Sequence, residues 1–393
     1  MVVRLVQPTE YEQVYALREY AFRRHYEGDI LEDYKFWVKK SQVVGDFTPE
    51  GQLKGQLMLM PLNMTIADQN LPMGGVGYVA TYPEYRNQGV MKNIITAALK
   101  QMKADHQTIS ALGPFSVSFY RHFGWEIFFD RIDYTIDQVR YPEPQGADEA
   151  TVERTTLKRL YEDEAQLAAL NDYYNATEGQ KNGMMLRDRD WWLRLLRTEG
   201  DAAVAIFRLK GKIAGFVRYQ RQDLVFAIQD FSATTRAIAN QIWRYLSSHK
   251  SNVFSFKGQT AISNHFDLGF ADPQFEKQIV QNIMVRIVDA VPFLQQTLAN
   301  RVKTPLYLQL DDSFAPWNEA TYRIADGEVM AGAKVAEDQV LHLPVNLASA
   351  LMVGYIDLET ALGYAPQPLR ADAKAAWQQS LAHLTLPQLY EDF

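Results

Sequence analysis

Arg86 and Gly89 lie between a strand-like run and a helical pattern, where they could bind an anion. The strand-like run closes with Val79 and Ala80, and Pro83 then removes a backbone donor and ends the ladder. Apolar residues next recur at helical spacing, at Met91, Ile94, Ala98 and Met102. Because a helix aims unpaired N–H groups and a partial positive charge at the turn before it, this turn is suited to a pyrophosphate.

A second segment with chemical potential follows the next predicted strand, 109–113. It reads Phe119-Tyr120-x-x-Phe123-Gly124-Trp125 and has the pattern of a short helix that ends at Gly124. The phenol of Tyr120 is a possible proton donor. His122 stands two positions further on and would point elsewhere on a helix, so we interpret it as structural.

Composition limits the function classes. Of the 393 residues, 47% are hydrophobic, which is ample for packed cores, and the length suggests roughly two to four domains. No run approaches about 18 apolar residues, so no membrane span is predicted. The absence of cysteine excludes thiol catalysis and disulfides, and the net charge of −7 gives no sign of nucleic-acid binding. With no secretory signal, we expect a cytoplasmic protein. The sequence has no histidine cluster with the spacing of metal ligands, so we predict no metal.

The rest of the chain contains two further units. A linker at Tyr141–Gly146 precedes a second series of a helix, a hairpin around Lys210-Gly211, a strand and a helix, which repeats the order of the first unit. Its strand–helix junction at residues 234–239 has no glycine, so we expect that this junction does not bind a pyrophosphate. From about residue 283, a strand-like run and alternating segments resemble a sterol-carrier-protein-type module.

The loop and the Tyr120 segment resemble the acyl-CoA loop and the fourth motif of GNAT N-acetyltransferases. With the run Met284–Asp289 and the last unit, the whole chain resembles the Eis-like (enhanced intracellular survival) members of that family. The resemblance implies an α+β (mixed α/β) fold. The resemblance also implies three domains: a GNAT acetyltransferase domain at 1–146, a degenerate GNAT-like domain at 147–284 and a sterol-carrier-protein-like domain at 285–393.

The family's functional residues map onto this chain as expectations. The resemblance implies that acetyl-CoA is the co-substrate, that Tyr120 is the general acid, and that the carboxylate of the last residue, Phe393, is the general base. It implies cofactor contacts at Val79, Ala80, Thr81, Arg86, Asn87, Gln88, Gly89, Val90, Met91, Lys92, Phe115 and Ser116. Met91 stands where the family usually has glycine or alanine. A homohexamer and a small cationic amine acceptor are also implied.

Acetyl transfer gives these groups their tasks. An alkyl ammonium with a pKa of about 10.4 must lose a proton, which a carboxylate can accept. The backbone N–H of Val79 would stabilise the oxyanion, and Tyr120 would protonate the departing thiolate. Glu391 and Asp392 would add negative potential. The segment 27–37 is acidic and aromatic, which fits either a solvated amphipathic stretch or an acceptor pocket.

Two alternatives stay open at this point. The chain could be a non-catalytic acyl-CoA or lipid binding protein that uses the last domain. It could also be a GNAT enzyme that modifies protein N-termini or lysines.

Overall fold

Two seven-stranded sheets and one four-stranded sheet form the framework of the described part of the chain. The computed structural model describes residues 2–22 and 26–393. The chain forms two units: unit 1 contains residues 1–129, 282–387 and 391–393, and unit 2 contains residues 130–281 and 388–390.

The elements are numbered in chain order. The strands are β1 Val2–Leu5, β2 Gln42–Phe47, β3 Leu53–Ile66, β4 Gln69–Thr81, β5 Ile109–Leu112, β6 Glu126–Ile127, β7 Arg131–Asp137, β8 Thr151–Thr156, β9 Ala203–Leu209, β10 Lys212–Gln222, β11 Val225–Ala233, β12 Ser255–Ala261, β13 Glu276–Val280, β14 Met284–Ile287, β15 Leu306–Asp311, β16 Thr321–Ala325, β17 Glu328–Ala331 and β18 Val340–Pro344. The helices are α1 Tyr11–Phe22, α2 Gly28–Lys40, α3 Val90–Ala104, α4 Val117–His122, α5 Leu157–Glu162, α6 Glu164–Ala176, α7 Arg189–Glu199, α8 Arg236–Ser247, α9 Ala290–Thr297, α10 Val345–Met352, α11 Leu358–Tyr364 and α12 Ala371–Leu381.

The first sheet has the strand order β1-β2-β3-β4-β5-β14-β6. The predicted helical stripe of α3 forms one face of its core: Ile94, Ala98 and Met102 are fully or almost fully buried. They join a cluster with Leu57 and Val76 of β3 and β4. Burial of this stripe holds the N-terminus of α3 beside the C-terminal part of β4.

Strand β14 lies in the first sheet, although we expected its sequence to open the third domain. It pairs antiparallel with both β5 and β6. Its Arg286 is fully buried and donates from Nη2 to both carboxylate oxygens of Asp312, at 2.7 and 2.9 Å. The predicted domain boundaries at residues 146 and 284 stay predictions, since unit 1 draws on sequence from both ends of the chain.

Unit 2 repeats the succession of elements found in the first sheet. The strand order of its own sheet is β13-β7-β12-β11-β10-β9-β8. The hairpin predicted around Lys210-Gly211 joins β9 and β10, and both turn residues have positive φ, 50° and 80°. That conformation is typical of a two-residue hairpin turn. The predicted stripe of Ile238, Ile242 and Leu246 is buried on α8.

The third sheet, β17-β16-β15-β18, belongs to unit 1 and packs with α10 and α12. Its strands β15 and β18 are parallel, and the residues that face the helices are apolar and buried, as with Leu308, Leu310 and Leu343. Within residues 2–22 and 26–393, no helix combines the length and the apolar character needed to cross a membrane.

Candidate active site

Strands β4 and β5 separate at the place where the sequence predicts cofactor contacts. They pair in parallel from Met73–Ile109 to Val76–Leu112, and β4 then runs on from Gly77 to Thr81 beyond the end of β5. The backbone of Val79, Ala80 and Thr81 therefore lines an opening in the sheet. Polar backbone groups at such an opening are available to a ligand that enters between the strands.

A β-bulge re-aims β4 at the same point. Met58 pairs with Gly77 and Gln56 with Ala80, so Tyr78 and Val79 together oppose Leu57. Tyr78 has φ of +51°, a left-handed conformation that is uncommon for an aromatic residue and costs on the order of 1–3 kcal/mol. Bulges of this kind are frequent beside active sites. The sequence gives no signal of it, because a tyrosine occupies the position where glycine or asparagine would have indicated positive φ.

The Arg86–Gly89 turn is open and ends at the start of a helix. Arg86, Asn87, Gln88 and Gly89 are exposed, and Asn87 and Gly89 have φ of +59° and +76°. Gln88 Nε2 donates to the carbonyl oxygen of Glu84 at 2.7 Å, which closes the turn internally. A Cβ on Gly89 would meet open space, so the backbone conformation, and not crowding, favours glycine here.

The N-terminus of α3 faces this turn without an acidic residue in its first turn. Gly89 is the N-cap, and within the described part of the chain no side chain caps the helix. Val90 is buried, Met91 packs its side chain against the core cluster, and Lys92 is exposed. The Met91 side chain therefore packs towards the core, and the helix end keeps its partial positive charge.

Tyr120 is 3% exposed on the short helix α4 and belongs to the same hydrophobic cluster as Val76 and Val90, against which Val79 also packs. Its ring contacts Phe115, Phe119 and Trp125, with centroids 5.4, 5.1 and 6.3 Å away. Burial raises the pKa of the Tyr120 phenol well above its usual range, so the hydroxyl stays protonated at neutral pH.

The two predicted contacts before Tyr120 have different environments. Phe115 is 72% exposed, unusual for so large an apolar side chain. Ser116 is the N-cap of α4, and its hydroxyl accepts the backbone N–H of Phe119 at 3.4 Å. His122 stacks against Phe123 and Phe314, which agrees with its structural interpretation.

The C-terminal residue Phe393 lies against β4, a strand that is distant from it in sequence. Its ring is next to Gly75, and its carboxyl carbon and oxygen are next to Gly77. Gly77 directly precedes the bulge at Tyr78, so the terminal carboxylate and the bulge are neighbours on one strand. Sequence reasoning missed both glycines, although a Gly-Gly-x-Gly series inside a predicted strand signals close approach by another chain segment.

Aromatic side chains from α1 and α2 surround the bulge. The Tyr78 ring is 4.6 Å from that of Tyr34 and 6.0 Å from that of Phe22. Tyr34 is buried, and burial raises the pKa of its phenol. The acidic and aromatic segment 27–37 is therefore a helix whose buried face contacts the candidate site.

Comparison with models of protein families gives three matches along the chain. Models of the GNAT acetyltransferase domain match residues 2–128 and 183–287, and a sterol carrier protein domain matches residues 285–365. The chain carries two GNAT acetyltransferase domains and a sterol carrier protein domain. The two GNAT domains identify the chain as an acetyltransferase. The predicted mixed α/β architecture is confirmed. None of the curated proteins compared with the chain matches it.

Solved structures share this fold over the entire chain. A conserved protein from Enterococcus faecalis, described as a probable N-acyltransferase, is 26% identical, with a TM-score of 0.88 over 100% of this chain and 99% of that one. A GCN5-related N-acetyltransferase from Anabaena variabilis is 19% identical, with a TM-score of 0.83 and full coverage of both chains. Eis1 from Mycobacterium abscessus is 17% identical, with a TM-score of 0.80 and full coverage of both chains.

Proposed function

We propose that the chain transfers an acetyl group from acetyl-CoA to a primary amine of a small cationic molecule. In this mechanism Tyr120 is the general acid and the terminal carboxylate of Phe393 is the general base. The observation that carries the proposal is the position of that carboxylate against Gly77, directly before the bulge where β4 leaves β5.

The cofactor would extend from the turn to the bulge. Its diphosphate would bind the backbone of Asn87 to Lys92 at the α3 N-terminus, with Arg86 as a counter-charge. Its pantetheine would pair with Val79, Ala80 and Thr81, which lie beyond the reach of β5. The exposed ring of Phe115 would gain a partner on cofactor binding. The thioester would then lie near the carboxylate, close to the bulge.

The proton inventory follows from this arrangement. The acceptor ammonium loses a proton to the Phe393 carboxylate, and the neutral amine attacks the thioester carbonyl while the N–H of Val79 stabilises the oxyanion. The carbon–sulfur bond breaks as the intermediate collapses, and Tyr120 gives its proton to the sulfur. The attacking nitrogen loses its second proton as the amide forms, and that proton restores the Tyr120 phenol. Burial that disfavours a tyrosinate also disfavours a buried thiolate, so the transfer stays feasible despite the raised pKa of Tyr120.

The aromatic residues beside the bulge support a cationic acceptor. The rings of the half-buried Tyr78 and the exposed Phe22 can attract an ammonium group, and the neighbouring terminal carboxylate adds negative charge. The Arg18 guanidinium lies over the Tyr26 and Tyr34 rings, so those two rings already contact a cation. Polyamines, aminoglycosides and lysine side chains all offer such amines.

One observation favours the alternative of lipid binding. A groove of about 500 Å³ lies among α10, α11 and α12, and its lining includes Leu351, Ile356, Leu381 and Leu386. Leu386 is 46% exposed in this groove. A groove of that volume could hold a medium-length acyl chain, so lipid binding is the second candidate function.

The deciding experiment is acetyl-CoA turnover across polyamines, aminoglycosides and lysine peptides, monitored by release of coenzyme A. Saturable turnover with a small amine supports the proposal. Turnover confined to peptides would indicate a protein-modifying enzyme. Acetyl-CoA binding without turnover of any amine, together with binding of a fluorescent fatty acid, would favour the lipid carrier. The hexamer and the cytoplasmic location stay predictions, of which native mass spectrometry tests the first.

A further inference from the structure

Two glycines of β4, Gly75 and Gly77, are not required by the conformation of the backbone. Gly75 and Gly77 both lie in extended strand backbone and, two positions apart, share one face of the sheet. A Cβ on Gly75 would be 2.7 Å from Leu62 Cδ1 and 3.2 and 3.3 Å from the Phe393 ring carbons Cδ2 and Cε2. A Cβ on Gly77 would be 2.9 Å from Met60 Cε and 3.9 Å from the carboxyl carbon of Phe393. The missing methyl group of Gly75 leaves space that the Phe393 ring occupies, whereas a Cβ on Gly77 would be at ordinary contact distance from the carboxyl group.

We propose that Gly75 is a positioning residue that sets the location of the terminal carboxylate. Gly75 admits the Phe393 ring against the sheet, and this places the carboxyl group beside Gly77, one residue before the bulge. We call the surface formed by Met60, Leu62, Gly75 and Gly77 the Phe393 site. This inference rests on the proposed role of the carboxylate as the base.

The two residues before Phe393 are also held within unit 1. Glu391 is 4% exposed. Asn282 Nδ2 donates to Asp392 Oδ1 at 3.4 Å. With the approach of the tail fixed in this way, the Phe393 site needs to place only the last residue. A methyl group in that site would therefore move the carboxylate without releasing the tail.

The same strand offers a matched control. Gly74 lies on the opposite face, where a Cβ would collide with Met102 Sδ of α3 and lie 2.9 Å from Gln107 Oε1. Gly74→Ala thus makes the same chemical change in the same strand, with tighter crowding than at Gly75 but without contact with Phe393. Any effect that Gly75→Ala has and Gly74→Ala lacks comes from the Phe393 site.

The experiment compares full-length Gly75→Ala, Gly74→Ala and the parent protein by two measurements. The first is the acetyl-transfer rate, with kcat and KM determined separately. The second is the rate at which a carboxypeptidase releases Phe393. For Gly75→Ala we expect kcat at least tenfold lower with an unchanged KM for acetyl-CoA, and release of Phe393 at least tenfold faster. For Gly74→Ala we expect both rates within threefold of the parent, whatever its thermal stability.

The outcomes separate this inference from the proposed function. Faster release of Phe393 in Gly75→Ala with an unchanged kcat would support the Phe393 site but reject the carboxylate as the base. Unchanged release, or equal effects of Gly74→Ala and Gly75→Ala, would overturn the Phe393 site. If Gly75→Ala does not fold, Phe393→Ala vacates the site from the other side and leaves the sheet intact. It must then lower kcat at least tenfold, and an unchanged kcat would overturn the inference.

Discussion

Replacement of Tyr120 by phenylalanine removes the proposed acid and leaves its packing in place. The ring is buried among Phe115, Phe119 and Trp125, and phenylalanine keeps all three contacts. The hydroxyl forms no hydrogen bond with any residue in 2–22 or 26–393, so we expect the free energy of unfolding to change by less than about 1 kcal/mol. Loss of a general acid typically costs about 10²–10⁴ in rate, or roughly 2.7–5.4 kcal/mol in the activation barrier.

The assay measures release of coenzyme A at saturating acceptor, with acetyl-CoA varied. We expect kcat to fall by that factor while the KM for acetyl-CoA stays within about threefold, because the predicted cofactor contacts are backbone groups and the α3 turn. The matched control is Tyr322→Phe, since Tyr322 is also fully buried but donates its hydroxyl to the carbonyl oxygen of Asn318. That variant should lose about 1 kcal/mol of stability and keep its kcat.

The pH profile gives an independent check. Because burial raises the pKa of Tyr120, the protonated form needed for acid catalysis persists to pH 10 and above. Ionisation of Tyr120 should therefore not lower the kcat of the parent protein between pH 6 and 10. Any decline in that range should also be present in Tyr120→Phe. A kcat for Tyr120→Phe within twofold of the parent would refute the role of Tyr120.

Three further predictions test the rest of the site and the fold. Addition of one alanine after Phe393 converts the carboxylate into an amide, so kcat should fall by about 10²–10⁴ while the melting temperature is retained; full activity would reject the terminal base. Burial lowers the pKa of Arg286 to about 10, and the group is still charged at pH 7. Arg286→Met leaves the Asp312 carboxylate buried without its cation and should cost about 3–5 kcal/mol in urea unfolding. Part of this loss should be recovered in Arg286→Met with Asp312→Asn, because the amide oxygen is neutral and can still accept from Ala315 or Asn318; equal losses would contradict the ion pair. Calorimetry should find one acetyl-CoA per chain, lost in Gly89→Val; two sites would show that unit 2 also binds the cofactor.

Local signals in the sequence predicted the elements that depend on local physics. The helical stripe after Gly89 and the Lys210-Gly211 hairpin are determined by side-chain period and turn chemistry within a few residues, and both are present in the structure. Motifs within short segments of the sequence also indicated the order of the domains.

Features that depend on distant contacts were not predictable from pattern. The bulge at Tyr78 arises from register between β3 and β4, and its tyrosine carries no marker of positive φ. The Phe393 site joins β4 to the opposite end of the chain, and only its glycines hinted at a close contact. The inclusion of β14 in the first sheet is likewise a choice between alternative strand partners, which an apolar run such as Met284–Ile287 does not specify.

The two GNAT units illustrate how one cap residue separates a helix end that can bind an anion from one that cannot. At α3 the cap is Gly89, which contributes no side chain and leaves the first N–H groups directed at the turn. At α8 the cap is Thr235 in extended conformation, and its hydroxyl accepts the N–H of Ile238 at 3.2 Å. An oxygen from the protein thus occupies the position that a phosphate oxygen would need at α8. Since a diphosphate gains most of its binding energy from such N–H groups, we infer that unit 2 keeps the strand framework of an acetyltransferase without its cofactor site.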